Sequence, residues 1–311
     1  MRRPFDRPVP PGGYDWSYLD GLSDDGAWAI VVIALVGSPF STAYARAMHA
    51  DQHADPLRFS QVNVALYGPR GSRWVLTERP IPGHARSRDG IALRRTTMGW
   101  VGDALVVDVD EVSPWTRRPI RGRIELTPDS RYDQVLALDR GRRHHWWPVA
   151  PRGRLEVNLQ EPRVRFRGLG YHDANAGDEP LHAAFDRWSW SRGHAPARRT
   201  VITYGVREHD GSSTVRALSL QDQTMRSVEG VHLHALPRSR WGLEREVWTP
   251  SASTPRLLRS LESGPFYGRD VLEVDSGGSV IRMVSEMLSA RRLASRTARF
   301  MTGFRARREP C

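Results

Sequence analysis

The sequence predicts an all-β protein with two antiparallel β domains and a basic amphipathic helix near its C-terminal end. Short apolar, β-branched runs recur along the chain between turn signals. No long helix separates neighbouring runs, which argues against a parallel βαβ sheet. The 311 residues, of which 39% are hydrophobic, are enough for one large domain or two ordinary ones.

The first β domain is predicted over residues 1–170. Its first apolar run, Ala27 to Val36, lies between Gly26 and Gly37 and is typical of a buried strand. In the run Leu155 to Leu159 apolar residues alternate strictly, which places one face inward and one outward. The other runs predicted as strands are Val62 to Tyr67, Arg73 to Glu78, Ala104 to Val109, Arg121 to Leu126 and Val164 to Phe166.

The second β domain is predicted over residues 171–276. The stretch from Gly168 to Gly193 is rich in glycine, acids and aromatics, and we interpret it as the junction of the two domains. Polar turns such as His209-Asp210-Gly211 separate the apolar runs that follow. The runs predicted as strands are Val201 to Val206, Thr214 to Leu220, Gly242 to Trp248, Leu257 to Leu261 and Arg269 to Val274.

Residues 277–311 are predicted to contain the basic amphipathic helix, because apolar residues fall at helical spacing and arginines supply the polar surface. The apolar positions are Val280, Met283, Val284, Met287 and Leu288, and the arginines are Arg282, Arg291, Arg292, Arg296, Arg299, Arg305, Arg307 and Arg308. Two roles stay open. The helix can pack on the second domain with solvated arginines, or it can contact an anionic membrane at about 1 kcal/mol per arginine.

The charge is strongly positive, with a formal net charge of +11, and every fixed positive side chain is an arginine because the chain has no lysine. The lack of lysine excludes a Schiff-base lysine, a Walker lysine and a lysine general base. A basic protein favours an anionic partner, either a nucleic acid or an anionic membrane. The arginines are scattered and no nucleic-acid-binding motif is recognisable, so we expect membrane contact and no nucleic acid.

The cysteine content indicates a reducing compartment, since Cys311 is the single cysteine and no intrachain disulfide can form. The first residues lack the apolar region of a secretion signal, and the run Ala27 to Val36 is too short to cross a bilayer. We therefore expect a cytoplasmic protein without a membrane span, peripheral to the inner or an intracytoplasmic membrane.

Common catalytic signatures are missing from the sequence, including the nucleophile elbow, the full dinucleotide loop and the His-Glu-x-x-His zinc motif. Gly168-Leu169-Gly170 is the nearest match to a dinucleotide loop, but it follows an antiparallel run, so no redox cofactor is expected. Two polar and aromatic clusters remain, Arg142 to Pro148 and Gly168 to Asn175, the second followed by Asp178, Glu179, Trp188 and Trp190. For any single residue, plugging a barrel end or capping a turn is the simpler explanation.

His144, His145, His172 and Asp173 are ligand types that suit zinc or iron, so a metal site is an alternative. Adjacent histidines in a strand point to opposite faces and rarely converge on one ion. Acid–base chemistry is therefore favoured over a metal, and no metal ligand is predicted.

Motifs along nearly the whole chain, in order, resemble the carotenoid 1,2-hydratase family, also called hydroxyneurosporene synthases. They are Phe5 to Tyr14, Asn63 to Gly68, Asp108 to Val112, His144 to Pro148, Gly170 to Asn175, Gly177 to Leu181 and Pro265 to Arg269. The resemblance implies two lipocalin-like antiparallel β-barrel domains and no cofactor. It also implies an acyclic carotenoid substrate, such as neurosporene or lycopene, whose terminal C1–C2 double bond takes up water.

Hydration of such an alkene needs an acid, a wall that stabilises a tertiary cation, and a positioned water. Asp173 is the predicted proton donor, because burial among Tyr171, Trp146 and apolar groups raises a carboxyl pKa above its ordinary value of about 3.9. His144 is predicted to re-protonate Asp173 or to act on the attacking water. Trp146 and Tyr171 present π faces to the cation, and all four positions lie in the most distinctive motifs of the resemblance.

Other readings stay open. A covalent route has Asp173 trap the cation as an ester. Asp178 or Glu179 is a candidate second acid, whereas Asp108 and Asp110 are expected to be solvated or paired with arginine. The main rival function is a lipocalin-like carrier that holds a carotenoid or another lipid unchanged. The sequence does not predict an oligomeric state.

Overall fold

The computed structural model describes residues 3–309, apart from the side chains of residues 299 and 303–305. Predictions on Cys311 and on the side chains of Arg299 and Arg305 lie outside the described residues. The strands are β1 (Tyr14–Ser23), β2 (Ala29–Val36), β3 (Ser60–Gly68), β4 (Gly71–Arg79), β5 (Gly90–Leu93), β6 (Thr96–Val101), β7 (Ala104–Val112), β8 (Pro119–Pro128), β9 (Leu136–Ala137), β10 (His144–Glu161), β11 (Val164–Gly177), β12 (Phe185–His194), β13 (Thr200–Glu208), β14 (Ser213–Gln221), β15 (Thr224–Ser227), β16 (His232–Leu236), β17 (Arg245–Thr249), β18 (Arg256–Ser263), β19 (Tyr267–Asp275), β20 (Val280–Ser289) and β21 (Arg307–Arg308). The helices are α1 (Thr42–Ala50), α2 (Leu181–Ala184), α3 (Ala290–Leu293) and α4 (Arg296–Arg305), with short 3-10 helices at Pro56–Phe59 and Gly83–Ala85.

The chain divides into two compact units. Unit 1 is Met1–Leu136, His144–Pro180 and Phe300–Cys311, and unit 2 is Ala137–Arg143 and Leu181–Arg299. The predicted boundary after residue 170 falls inside β11, because the pairing of β11 with β1 continues to Gly177. The predicted boundary after residue 276 separates β19 from β20, although these strands pair throughout. Both boundaries are therefore corrected by the structure.

Unit 1 is built on a 12-stranded sheet with the order β21-β4-β3-β2-β1-β11-β10-β8-β7-β6-β5, and β9 pairs with β10 outside this path. Along this path the neighbouring strands are antiparallel, except that β21 is parallel to β4. Contacts of β3 with β5, and of β4 with β7, join strands that are distant in this order. The sheet therefore curls around a core, as expected for a lipocalin-like β domain.

The core of unit 1 consists of β-branched and leucine side chains from almost every strand of this sheet. Fully buried members include Leu19, Ile30, Val62, Val64, Val75, Leu105, Val107, Ile120, Ile124, Leu126 and Leu155. Burying each such side chain contributes roughly 1.5–3 kcal/mol relative to exposure. A slip of one residue in any strand would turn its core side chains outward, so this core fixes the register.

Unit 2 contains a 7-stranded sheet with the order β15-β14-β13-β12-β20-β19-β18, together with the two-stranded sheet of β16 and β17. A smaller apolar cluster lies in this unit, with Leu272, Val274, Ile281 and Met283 at its centre. The prediction of an all-β protein made of antiparallel sheets is confirmed.

The predicted strands all overlap strands of the structure. Gly242 to Trp248 is the least accurate, because β17 begins only at Arg245. Gly242 has a φ of +65°, a left-handed conformation that suits a turn rather than a strand. The sequence patterns did not predict β1, β5, β6, β9, β12, β15, β16, β20 or β21.

The predicted helix over Val280 to Leu288 is wrong, because these residues form β20. In the sheet β20 lies between β12 and β19, and its last residues are buried on both faces. The apolar residues of β20 fall on both faces of this central strand, at positions that also match helical spacing. A basic helix does occur later, at α4.

Arg79 of β4 and Glu111 of β7 form a buried ion pair in unit 1. Glu111 accepts hydrogen bonds from Arg79 at 2.9 Å, from Thr77 at 2.7 Å and from Thr96 at 2.7 Å. Both charged side chains are almost completely buried. Burial raises the pKa of Glu111, while Arg79 and the two hydroxyl groups act against that rise. The charge of Glu111 therefore depends on these three partners.

Replacing Arg79 by leucine is expected to lower the free energy of unfolding by about 3–5 kcal/mol, because Glu111 would be left buried without its cation. Arg121→Leu is the matched control, since Arg121 is about half exposed and pairs with Asp110 at 2.7 Å. Its loss is expected to change the free energy of unfolding much less, because solvent screens an exposed ion pair. Urea denaturation measures both changes, and equal losses would contradict the assigned role of the buried pair.

Candidate active site

A row of aromatic and acidic side chains lies on one face of β1. Leu19 of this strand belongs to the apolar core of unit 1, and alternate residues of a strand point to opposite faces. The residues on the face opposite Leu19 are Tyr14, Trp16, Tyr18 and Asp20. All four are buried, so this second face is also removed from water.

The neighbouring strand β11 places its own polar residues on the same face. In the register of the two strands, Tyr18 is opposite Asp173 and Asp20 is opposite Tyr171. The Cβ atoms of directly opposite residues lie about 4.5–5.5 Å apart. Two tyrosines and two aspartates therefore lie next to one another on this buried face. The ring centroids of Tyr18 and Tyr171 are 6.2 Å apart, in an edge-to-face arrangement.

Asp173 accepts two hydrogen bonds at one carboxyl oxygen. The Tyr171 hydroxyl and the Trp146 indole N–H, from β10, each donate to Oδ2 at 2.8 Å. The side chain is 4% exposed. Because an indole N–H can only donate, Oδ2 is held as an acceptor, and a proton on this carboxyl group resides on Oδ1.

Tyr171 is fully buried, and its pKa is raised well above the ordinary value of 10.0. Burial is the largest cause, followed by the charge of Asp173 and the hydrogen bond to it; the charge of Asp20 also contributes. Tyr171 therefore stays a neutral phenol that donates to Asp173. It does not act as a phenolate base.

His144 lies at the other end of this face, on β10. Its Nδ1 is 2.8 Å from the Tyr14 hydroxyl, and its Nε2 is 3.6 Å from Oε1 of the partly exposed Glu179. Gly177 lies opposite both Tyr14 and His144, and a Cβ there would come within 2.4 Å of the Tyr14 ring and 2.7 Å of His144 Nδ1. The missing side chain at Gly177 lets these two residues meet.

Of the four predicted site residues, the structure brings Trp146, Tyr171 and Asp173 into one hydrogen-bonded group. His144 pairs across the sheet with Gly177, four residues along β11 from Asp173, which corresponds to about 13 Å of strand. The backbone positions of His144 and Asp173 are therefore well separated along β11.

The other two histidines of the clusters lie on different surfaces. His145 alternates with His144 along β10 and contacts the Trp147 ring at 6.1 Å. His172 is on the core side of β11, where Nδ1 is 2.8 Å from the Tyr18 carbonyl oxygen and the Trp100 ring lies at 5.8 Å. Burial lowers the pKa of His172 from 6.5 to about 4, so it is neutral near pH 7.

The other acids weighed from the sequence have arginine or histidine partners. Asp110 pairs with Arg121, which lowers its pKa, and the exposed Asp108 lies 3.8 Å from Arg123; the prediction of arginine-paired carboxylates is confirmed. Asp178 pairs with Arg7 at 3.2 Å.

Gly168 and Gly170 lie within β11, where a Cβ at Gly168 would collide with the Leu22 carbonyl oxygen. These glycines allow β1 and β11 to pack closely. Gly168 and Gly170 therefore belong to a strand and not to a turn that opens a helix.

Within residues 3–309, no group of three or more His, Cys, Asp or Glu side chains is arranged to hold a metal ion. No helix of this described part combines the length and apolar character needed to cross a membrane.

The side chains of β1 on this face were not predicted as site residues. The signal was present, because Tyr14, Trp16, Tyr18 and Asp20 follow one another at a spacing of two residues. A stripe of this period on a strand places aromatic rings and a carboxylate on one face. Asn175 was also missed as a site residue; it is buried on β11, opposite both Trp16 and Trp146.

Comparison with known proteins gives one family and several relatives. The family model described as "Carotenoid hydratase CrtC" matches residues 32–310. The chain is 38% identical to the acyclic carotenoid 1,2-hydratase of Rubrivivax gelatinosus, over 97% of this chain and 75% of the relative. It is 37% identical to that of Thiocapsa roseopersicina, over 97% and 74%. A crystal structure of a protein assigned as AttH from Nitrosomonas europaea matches with a TM-score of 0.64 at 13% identity, over 88% of this chain and 91% of that one, which shows the fold.

The lowered pKa of His172 predicts a specific loss of stability in acid. Between pH 6.5 and about 4 the unfolded chain binds a proton at this histidine that the folded chain does not, so stability falls as the pH falls through this range. At pH 5 the loss is expected to be about 2 kcal/mol. His172→Asn keeps an N–H donor but cannot titrate. Urea unfolding at pH 7.5 and pH 5 should show a smaller difference in the variant; an equal difference would contradict the prediction.

Proposed function

The chain belongs to the carotenoid hydratase CrtC family, and from this premise we propose that its buried face on β1, β10 and β11 is the active site of an acyclic carotenoid 1,2-hydratase. The reaction adds water to the terminal C1–C2 double bond of an acyclic carotenoid such as lycopene or neurosporene, as a step of carotenoid biosynthesis. The observation that carries the assignment of the site is the buried carboxyl group of Asp173, held by two donors and surrounded by aromatic rings.

Asp173 is the proposed acid. Its Oδ2 is occupied by the Tyr171 and Trp146 donors, so the proton to be transferred is on Oδ1. Transfer of this proton to C2, the less substituted carbon, leaves a tertiary cation at C1. A positioned acid of this kind contributes about 10²–10⁴-fold to a rate.

The aromatic side chains of the same face stabilise the cation. Tyr18 and Tyr171 border Asp173, and Trp16 stacks on Tyr14 with ring centroids 4.8 Å apart. An aromatic face stabilises a desolvated cation by about 2 kcal/mol or more. Several rings together lower the barrier to protonation and also exclude bulk water from the site.

For His144 we propose a role at the outer end of this face. It bonds to Tyr14 and lies near Glu179, which is partly exposed. A histidine changes charge near neutral pH, so His144 connects the buried row with protons from solvent. The hydrogen bond also holds Tyr14 in its stacked position beside Trp16.

The rival function, a carrier that binds a carotenoid without changing it, does not require this arrangement. A carrier has no use for a buried carboxyl group whose one oxygen is held by two donors, because burying such a group costs free energy. The covalent route, in which Asp173 traps the cation as an ester before hydrolysis, uses the same residues and differs only in the step that follows protonation.

Asp173→Asn is expected to abolish hydration, because the amide cannot supply the proton, while binding of the polyene is retained. Purified, chelator-treated protein is incubated with lycopene in liposomes and the products are separated by chromatography. Asp108→Asn is the matched control, since Asp108 is an exposed carboxylate on β7. Hydration by the Asp173 variant would refute the acid assignment, and binding without conversion by the wild type would favour the carrier.

We also propose that the protein associates peripherally with an anionic membrane through α4. Phe300 of this helix is 67% exposed, and Arg296 is exposed as well. An exposed aromatic residue beside arginines suits a membrane interface, where each arginine contributes about 1 kcal/mol. The net charge of +11 acts in the same direction, and contact with lipid brings the site near a hydrophobic substrate.

Phe300→Ser combined with Arg296→Gln is expected to weaken binding to vesicles that contain anionic lipid, measured by co-sedimentation. Trp115→Ser is the control, because Trp115 is a comparably exposed aromatic residue, at 64%, in the loop between β7 and β8. Unchanged binding of the double variant, or a loss with Trp115→Ser alone, would show that α4 is not the contact.

A further inference from the structure

We propose that unit 2 carries a preformed surface for an anionic lipid bilayer, made of Trp241 and the exposed arginines Arg240, Arg291 and Arg296. This surface extends the membrane contact proposed for α4 to α3 and to the loop between β16 and β17. The inference concerns where the protein meets lipid, and it does not depend on the chemistry at Asp173.

Trp241 is held at the surface by the loop that presents it. The residue is 49% exposed, and its indole N–H donates to the Ser263 carbonyl oxygen at 3.2 Å. The Gly242 N–H closes the turn by donating to the Ser239 carbonyl oxygen at 2.9 Å. A tryptophan with a bonded N–H and an exposed apolar ring suits the boundary between a bilayer and water.

Arg292 fixes this loop to α3. Its terminal nitrogens donate to the carbonyl oxygens of Trp241 at 3.1 Å, Gly242 at 2.8 Å and Pro265 at 3.2 Å. Its neighbour on α3, Arg291, is exposed. The hydrogen bonds therefore hold the tryptophan beside a basic helix before any partner arrives, so binding does not have to order the loop.

The charge of this surface is not neutralised by acidic side chains. Arg240, Arg291 and Arg296 are exposed and form no ion pair within residues 3–309. The neighbouring Arg238 differs, since it pairs with Glu244 at 2.7 Å. Most of the excess of arginine over acidic residues in the chain also lies in unit 2. Free positive charge around an aromatic ring is complementary to anionic lipid headgroups.

A nucleic acid is the other anionic partner that arginines bind, and the aromatic content of the surface favours lipid over it. Proteins that bind single strands stack successive bases on several aromatic rings along a groove. Within the described part of unit 2, Trp241 is the exposed tryptophan, and no exposed phenylalanine accompanies it. A single ring flanked by arginines matches insertion at the depth of the headgroups.

The test compares changes on this surface with equal changes elsewhere. Binding of the full chain to vesicles of phosphatidylcholine and phosphatidylglycerol is measured by co-sedimentation. Trp241→Ser is expected to weaken binding at least about 10-fold, because the ring no longer enters the interface. Arg240→Gln combined with Arg291→Gln is also expected to weaken it at least about 10-fold, because two charges near the headgroups are lost.

Two variants serve as controls and should bind like the wild type. Trp115→Ser removes an exposed tryptophan of unit 1. Arg226→Gln combined with Arg282→Gln removes the same charge from exposed arginines of unit 2. Arg226 is on the edge strand β15, and Arg282 is near the start of β20, whereas α3 follows the end of β20.

The inference is overturned if either variant of the surface binds like the wild type, or if the Arg226 and Arg282 variant loses as much binding. It is also overturned if the wild type leaves the vesicles unbound and binds single-stranded RNA instead. Hydration of lycopene in detergent micelles should be unchanged in every variant, since no bilayer is needed there. A wild type that binds vesicles without hydrating lycopene would refute the hydratase function and leave the lipid surface supported.

Discussion

Two donors, the Tyr171 hydroxyl and the Trp146 indole N–H, meet at one oxygen of Asp173 only because β10, β11 and β1 are held in a fixed register. These strands come from distant parts of unit 1, with Tyr14 of β1 paired to Gly177 of β11. A shift of a single residue would exchange the two faces of β11. Asp173 would then point into the apolar core, and His172 would take its place beside the aromatic row.

The apolar core on the other face enforces this register. Leu19 and its core neighbours on β2 and β3 are buried on one side of the sheet, while the aromatic row is buried on the other. β1 is therefore covered on both faces, although only one face is aliphatic. The aliphatic face supplies apolar burial, and on the polar face the side chains of Asp173 and His144 have hydrogen-bond partners within the same face.

The sequence predicted the β class and most of the longer strands, because short β-branched runs bounded by glycine are typical of strands. It failed at β20, where apolar residues lie on both faces of a central strand, at positions that match a helix equally well. The four predicted site residues, His144, Trp146, Tyr171 and Asp173, came from clusters of rare side chains. The spacing of Tyr18 and Asp20 predicts only that they share one face of a strand. The pairing of β1 with β11 brings that face beside Asp173, and local sequence does not predict pairing between strands so distant along the chain. The position of His144 relative to Asp173 depended on the same pairing.

The pH dependence of the hydration rate tests the central role of Asp173 most directly, when wild type is compared with Tyr171→Phe and Trp146→Phe. Each variant removes one donor from Oδ2 and leaves the carboxyl group in place. A carboxylate with one donor fewer is less stable, so Asp173 should keep its proton to higher pH. The fall of kcat/KM with rising pH is therefore predicted to move to higher pH in both variants. A fall at the same pH in all three proteins would contradict the account, because the acid would then be a group that these donors do not touch.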